Sequence, residues 1–526
     1  MKFTKNELYF IAALIVFTVV VHFLNLGLFP LFGDEGIRGT VSFEMMKHEN
    51  YIVPSKFGWY YYRKPPLYNW IMIGFFYLTN SYSEFVLRLP SVIPLFLFGA
   101  TIWYVAKSKI GSKPALLAAF LFILSGRLLT RDSMLGHIDI FYSWVTFIEF
   151  YLIWYFWKRK AYWKLFLFSY LLAAAGVLMK GLPSFIFQGA TLFVWSIYLK
   201  DFKRLFSVQH IVSFLLFAGI IVGYFYAYAQ YNSLETYFNE LYFQSSQRTV
   251  VEHAWWENVL QLITFPIENF GHLFPSSLLL LFLFKKDTVR NWLKDDFMAF
   301  TFLVLAINSI PYWLSPGYYP RYLFMLYPLL FILGADAYFK RKDKWAKLNN
   351  WILGFFLVFG VAVALAPLYT FSVDYFTEKP FHIWGVLLML VIGVGCAFFW
   401  FKPKYKLWAS LAFVALFRLG FDLYILPYRV DVEQSQYVFR KETSKKLVEL
   451  TQDAPLYLYK NTPMFEEFGY YIGTEKDQII QIKGNYKSGN YYLTTDSMLP
   501  ENQSYDRIYS FELGYEDFVI RLIKVH

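Results

Sequence analysis

The sequence predicts an all-α polytopic membrane bundle of about 13 transmembrane helices. Amphipathic interfacial helices are expected in its first outer loop and a small α/β extracytoplasmic domain at its C-terminal end. Three observations predict this. Apolar residues make up 57% of the 526 positions and charged residues only 17%, against roughly 25% charged in an ordinary soluble domain. The apolar residues gather in runs long enough to cross a bilayer, and the basic residues collect in every second connection between them. Such a composition excludes a disordered chain, a coiled coil and an ordinary cytosolic enzyme. Cys396 is the single cysteine, which excludes an internal disulfide and a zinc site built from several cysteines.

A membrane-crossing helix needs about 20 mostly apolar residues. Runs of that character lie at 8–31, 87–106, 114–131, 138–157, 163–179, 182–199, 209–229, 273–284, 297–314, 322–338, 350–370, 382–401 and 407–427. The run at 273–284 is short for a span. Pro66–Tyr77 is apolar over only about a dozen residues, which suits a helix lying along or dipping into the interface.

With Lys2 and Lys5 cytoplasmic, the inner loops are 107–113, 158–160, 200–204, 285–294, 340–347 and 402–406, and all are basic, as the positive-inside rule requires. The outer loops are then 32–86, 132–137, 180–181, 230–272, 315–321 and 371–381, followed by the tail. A span at 66–77 would invert every later loop. The first run is too long for a cleavable signal and no small-x-small site follows it, so it reads as a retained span.

Hydropathy falls after residue 428, dividing a membrane domain (1–428) from a soluble one (429–526). The segment from Arg429 onward carries 12 basic against 15 acidic residues, so a surplus of +14 lies in the membrane part. In such a chain this surplus orients loops and does not signal nucleic-acid binding. Short β-like runs at Pro455–Tyr459, Gln478–Ile482, Tyr491–Thr494 and Phe518–Ile523 alternate with turns, and Lys441–Thr451 has helical spacing.

Ionisable groups beside a membrane are costly, so their positions carry information. Most fall at the outer boundary: Asp34 and Glu35 after the first span, Arg63-Lys64 before the interfacial helix, and Arg131, Asp132, His137 and Asp139 at the second outer turn. Lys180 ends a span, Arg248, Glu252 and His253 lie in the long fourth loop, and Arg321 closes a further turn. Carboxylates there suit a general base or a bound cation. Converging Lys and Arg suit a phosphate or pyrophosphate and its development as a leaving group. Each also has a plainer reading: solvated loop carboxylates, head-group contacts for Arg63-Lys64, snorkelling for Lys180, an interface histidine for His253. Arg418 and Asp422, spaced i, i+4 in the last span, are expected to pair inside the bundle. The Tyr and Trp around 59–62, 224–242 and 312–322 read as an interfacial aromatic belt.

The order of these residues resembles a known family. Asp34-Glu35 follows the first span, then come Lys64-Pro65-Pro66 and Glu84-Phe-x-x-Arg-x-Pro90. Asp139 lies in Met134-Leu-Gly-His-Ile-Asp139, followed by Lys180-Gly181 and a long outer loop with an Arg and a His. This is similar to the bacterial transferases that move 4-amino-4-deoxy-L-arabinose from undecaprenyl phosphate to lipid A, relatives of protein O-mannosyltransferases within the GT-C superfamily. The resemblance covers residues 8–340 by motif and the remainder by architecture. It implies that Asp34 is the catalytic or acceptor-orienting carboxylate and Asp139 the second active-site aspartate. It implies that Lys64 contacts the carrier phosphate and that Arg248 binds phosphate near His253. The family usually has Glu before Lys-Pro-Pro; Arg63 stands there instead, so no metal is expected to be required and Arg63 is expected to reinforce phosphate binding.

The expected function is an integral-membrane, inverting glycosyltransferase using a polyprenyl-phosphate-linked sugar. Asp34 and Asp139 are its catalytic residues, Lys64, Arg248, Arg321 and Arg63 its phosphate-binding residues, and Glu35, Lys180 and His253 complete the cavity. The acceptor is lipid A, another glycolipid, a glycan or a protein. The expected partners are the donor, the acceptor and membrane lipids, with no nucleic acid and a monomer as the simplest state. The expected location is the bacterial inner membrane, with the site and the C-terminal domain periplasmic. The rival is a transporter or flippase of lipid-linked sugars, disfavoured because no internal repeat is visible and the polar groups lie at the outer edge, not the midplane.

Overall fold

The computed structural model describes residues 3–246, 255–433, 435–501, 503–513 and 518–526. It is a helical bundle with a five-stranded sheet region at one end. The chain opens on α1 (Lys5–Phe23), started by a capping box in which Thr4 Oγ accepts from the Glu7 amide while the Glu7 carboxylate accepts from the Thr4 amide. The connection after α1 folds as α2 (Asp34–Lys47), a hairpin of two-residue strands β1 (Ser55–Lys56) and β2 (Trp59–Tyr60), and α3 (Leu67–Thr79). The bundle continues through α4 (Glu84–Ile110), α5 (Ser112–Ile123), α6 (Gly126–Thr130), α7 (Ile138–Lys158), α8 (Tyr162–Lys180), α9 (Pro183–Tyr198), α10 (Val208–Ala229), α11 (Leu234–Ser246) and α12 (Trp255–His272). After a 3₁₀ turn over Ser276–Leu283 come α13 (Thr288–Trp292), α14 (Asp296–Trp313), α15 (Tyr327–Arg341), α16 (Ala346–Leu365), α17 (Asp374–Thr377), α18 (His382–Trp400), α19 (Lys406–Gly420) and α20 (Leu426–Asp431).

Every apolar run named from the sequence is helical over most of its length. By length and composition, eight of the described helices can cross a membrane, or nine if the pair bent by 54° at Leu124–Ser125 is one span. The others are shorter or more polar: α9 has 16 residues, α15 has 15 and the 3₁₀ segment 8, while α7 has 21 but includes Asp139 and Glu149. The interfacial stretch forms α3, 13 residues long.

The first and last long helices are neighbours, with α1 packed on α19. Asn25 Nδ2 donates to the Asp422 carbonyl at 2.8 Å. Arg418 and Asp422 pair at 2.6 Å with neither side chain exposed, and Arg418 also donates to the Leu129 carbonyl and to Ser133 Oγ. Through Nη1, Arg418 thus ties the last long helix to the turn around residues 129–133, while its Nη2 stays buried without a hydrogen-bond partner.

The C-terminal region contains α21 (Gln436–Thr451), β3 (Leu456–Tyr459), α22 (Glu466–Lys476), β4 (Gln481–Lys483), β5 (Tyr491–Thr495), β6 (Tyr505–Glu512) and β7 (Val519–Val525). The sheet order is β4-β3-β5-β7-β6, with β3 parallel to β4 and β5 and β7 antiparallel to β5 and β6. Neither α22 nor β6 was expected from the sequence.

This region is seated on the α2–β2 segment that follows α1. Helix α22 packs along α2 because Gly36 and Gly39 leave room: a Cβ on Gly36 would meet the Glu467 amide nitrogen at 2.9 Å, and one on Gly39 the Tyr470 ring at 2.6 Å. Thr40 Oγ1 donates to the Glu466 carbonyl at 2.8 Å, Lys56 pairs with Glu466 at 2.6 Å, and Lys441 pairs with Glu84 at 2.5 Å. Phe57, from the hairpin, sits in the apolar core of the C-terminal region with Phe468 and Ile472.

Candidate active site

A cavity of about 460 Å³ opens at the end of the bundle that carries the C-terminal region. Its lining includes Asp34, Arg63, Lys64, Asp139, Lys180 and Arg321, and in addition Arg38, Tyr61, His137, Tyr319 and Tyr322. Six of the nine site residues expected from the sequence, drawn from segments almost 290 positions apart, therefore share one space with His137.

Local structure explains each placement. Gly33, at φ +60°, turns the chain so that Asp34 becomes the first residue of α2, where the exposed amides and the helix dipole favour a carboxylate. Asp139 lies in the first turn of α7 for the same reason. Helix α8 stops at Gly181, φ +90°, so Lys180 occupies the end favourable to a cation. Pro65 and Pro66 precede α3 and fix the approach of Arg63 and Lys64; Arg63 is exposed and Lys64 half-buried.

Arg321 is the hub. Its Nη2 donates to Asp34 Oδ2 at 2.6 Å, its Nε lies 3.5 Å from Asp139 Oδ2, and its Nη1 lies 3.3 Å from His137 Nδ1. Lys180 Nζ donates to Asp139 Oδ1 at 2.5 Å and sits over the rings of Tyr322 and Tyr142 at 4.2 and 4.9 Å. Lys180 thus points inward to a carboxylate instead of snorkelling. The Asp139 side chain is 6% exposed and that of Asp34 is 51% exposed, so Asp34 is the carboxylate that faces an incoming molecule. Partial burial pushes the Asp34 carboxyl up, but Arg321, with His137 and Arg38, outweighs it and holds the group below the usual aspartate value. Burial, followed by the Arg321 charge, pushes His137 below the usual histidine value, which suits a neutral ring accepting from Arg321.

Glu35 corrects the sequence reading, which placed it in the cavity. It is fully buried behind the wall, because its charge is consumed elsewhere. Arg88, from the Glu-Phe-x-x-Arg-x-Pro motif, grips it in a two-pronged pair at 2.9 and 3.0 Å. Glu35 also accepts from the amides of Phe32 (3.0 Å) and Gly136 (2.7 Å). It therefore ties the turn before Asp34 to the turn before Asp139. Gly136 allows this approach, since a Cβ there would meet Leu87 Cδ2 at 2.3 Å and the Leu87 carbonyl at 2.9 Å. The His137 carbonyl is held from the other side by Ser91 Oγ at 2.8 Å and Tyr68 OH at 3.1 Å.

Arg38 was not anticipated. It lies one turn after Asp34 on α2, donates to Tyr61 OH and reaches Asn69 Oδ1 at 3.4 Å. The i, i+4 spacing of Asp34 and Arg38 was the available signal, in a segment expected to be loop. Arg248 and His253 lie outside the described residues. Among the described residues no cluster of three or more His, Cys, Asp or Glu side chains is arranged to hold a metal ion.

The cavity thus offers two carboxylates against five cationic side chains. Such a site suits an anionic head group and a reaction that develops negative charge on it.

Residues 63–228 match the family model described as dolichyl-phosphate-mannose-protein mannosyltransferase; that stretch includes Lys64, Asp139 and Lys180. Across nearly its whole length the chain has the fold of ArnT from Cupriavidus metallidurans. It superposes on the undecaprenyl phosphate-bound structure with a TM-score of 0.67, at 14% identity over 99% of this chain and 98% of that one. The apo form gives 0.67 at 15% identity over 98% of each chain. No curated protein matches the sequence. The resemblance read from the sequence is thus met in both the family model and the fold.

Proposed function

We propose that the protein is an integral-membrane glycosyltransferase that moves a sugar from a polyprenyl-phosphate-linked donor to an acceptor at the cavity end of the bundle, inverting the anomeric carbon. The observation that carries this reading is the single cavity in which Asp34 and Asp139 face Arg63, Lys64 and Arg321. The likeness to a structure bound to undecaprenyl phosphate supports the donor class. The basic inner loops support an extracytoplasmic, periplasmic site in a bacterial inner membrane.

The donor's phosphate enters among Arg63, Lys64 and Arg321, its lipid tail remaining in the bilayer. The acceptor oxygen attacks the anomeric carbon opposite the phosphate. The new C–O bond forms as the C1–O bond to phosphate breaks, and the electron pair leaves on the phosphate oxygen, where the cations stabilise it. Asp34 takes the proton of a hydroxyl acceptor; an acceptor that is itself a phosphate needs only to be oriented. Asp139, held by Lys180, keeps Arg321 in place.

The Asp34–Arg321 contact adds a coupling between binding and chemistry. A carboxylate held below its usual value is a weak base. A donor phosphate competes for Arg321, and as Arg321 turns toward it Asp34 loses its main stabilising charge and becomes a better base. The charge that the leaving group requires is supplied by side chains, so the reading calls for no metal; Arg63 occupies the place where the family's Glu would stand.

Asp34→Asn is expected to lower transfer from a radiolabelled polyprenyl-phosphate sugar in membranes by 100-fold or more, with unchanged protein level. Full activity in that variant overturns the reading. Lys64→Ala is expected to raise the apparent donor KM. Mass spectrometry of lipids and glycans from cells with and without the gene identifies the sugar and acceptor.

A further inference from the structure

Behind the wall that carries Asp34 lies a second cavity, of about 420 Å³. The wall is thin. Phe32 faces the second cavity and Asp34 the first; Leu135 faces the second and His137 the first. The lining of the second cavity includes Arg131, from the second outer turn, and Arg429, from the end of the last span. Phe29, Met134, Phe421 and Leu426 supply apolar wall, and Arg88, Thr130, Ser435 and Tyr437 add polar groups to it. A third cavity, of about 490 Å³, shares Phe421 and Arg429 with it and runs between α16, α18 and α19 past Ala366, Val373 and Met389. The chain between α19 and α20 makes a π-helical turn, Phe421–Ile425, whose first residue borders both spaces. An apolar groove between long helices therefore ends at two guanidinium groups.

The carboxylates near those groups are mostly committed. Asp132 is paired with Arg127 at 2.8 Å, Glu35 with Arg88, and Asp422 with Arg418. Arg131 is exposed and lies over the Phe32 ring at 5.7 Å, with no carboxylate partner among the described residues. Among the described residues Arg429 pairs with Glu433, one turn away at 3.3 Å, with both side chains about half exposed; such surface pairs are weak and readily exchanged. The head of the groove is net positive while its length is apolar.

We propose that these adjoining cavities bind an anionic glycerophospholipid of the surrounding bilayer, with its phosphate between Arg131 and Arg429 and one acyl chain in the groove past Ala366. A zwitterionic lipid places its own cation against the same two arginines and binds more weakly. The bound lipid presses on Phe32 and Leu135, the reverse face of the wall that positions Asp34 and His137. The proposal stands apart from the transferase reading, because lipid retention is measured without turnover.

The test is native mass spectrometry of the purified full-length protein, released from nanodiscs containing equal phosphatidylglycerol and phosphatidylcholine. The wild type is expected to retain phosphatidylglycerol at least tenfold over phosphatidylcholine. Arg131→Gln with Arg429→Gln is expected to abolish the preference, and Arg131→Lys with Arg429→Lys to keep it. Ala366→Trp fills the groove and is expected to lose retention with both arginines intact. Equal retention of the two lipids by the wild type, retention of phosphatidylglycerol by the double Gln variant at the wild-type level, or retention of polyprenyl phosphate in its place overturns the proposal.

Discussion

Glu35→Gln tests whether the wall between the two cavities is held by charge. The substitution keeps size and shape but leaves Arg88, whose side chain is 1% exposed, without its counter-ion. Removing one partner of a fully buried pair costs about 3–5 kcal/mol. Here the loss is local: besides Arg88, Glu35 holds the amides of Phe32 and Gly136, and a Gln side chain cannot accept from all of these at once. At about 1.4 kcal/mol per factor of ten, 3 kcal/mol is roughly a 100-fold rise in the local opening constant. Hydrogen–deuterium exchange under native conditions reads that constant directly. Peptides covering 30–36 and 134–138 are expected to exchange roughly 100-fold faster, while the core of α4 is unchanged. Transfer is expected to fall in parallel, because Asp34 and His137 sit one or two residues from those amides. Arg88→Met added to Glu35→Gln is expected to restore part of the protection by removing the stranded charge. Exchange in both segments within twofold of wild type would refute the reasoning.

Four further outcomes follow. In Arg321→Gln the chief charge holding Asp34 below its usual value is gone and burial dominates, so the acid limb of kcat/KM is expected to move to higher pH; an unmoved limb means Asp34 is not the titrating base. In the wild type the stabilisation from Asp34 ionisation is present above the usual aspartate value and lost as pH falls through its lowered one. Glu44 shows the opposite sign: burial pushes it up to about 7 although Ser55 Oγ and the Phe57 and Gly58 amides donate to it, so its contribution is complete below about 4.5 and lost as pH rises through about 7. The hairpin at 55–60 is expected to open more at pH 8 than at pH 5 in exchange corrected for intrinsic rate, with Glu44→Gln flattening the difference. Gly36→Val drives a side chain into the Glu467 backbone, and limited proteolysis of the 431–436 connection is expected to accelerate as α22 lifts from α2.

The bundle and most of the site were legible because membrane insertion writes itself into composition: apolar runs mark helices, and ionisable residues at their ends stand out. Asp34, Lys64, Asp139, Lys180 and Arg321 could be found that way. Glu35 was misplaced because a sequence gives no sign that Arg88, 53 positions later, consumes its charge. Arg38 was missed because α2 lies outside the apolar runs and owes its burial to α22, which comes more than 400 residues later. Helix α22 itself was hidden by Gly469 and Gly473, poor helix formers that are needed here because a Cβ would meet the Phe57 ring at 2.6 Å and the Phe43 ring at 3.1 Å. Strand β6 is largely exposed, with only Phe511 buried, so its sequence lacks the alternation that marks a half-buried strand.

The seating of α22 on α2 has a consequence for biosynthesis. The helix that begins with Asp34 leaves the ribosome among the first fifty residues, yet the surface that clasps it is encoded after position 460 and the span beside α1 after position 405. A nascent chain therefore carries Asp34 through almost the whole of translation without the scaffold that positions it. The cavity around Asp34 is therefore completed in one step near termination, and a chain truncated before position 460 lacks the helix that seats α2.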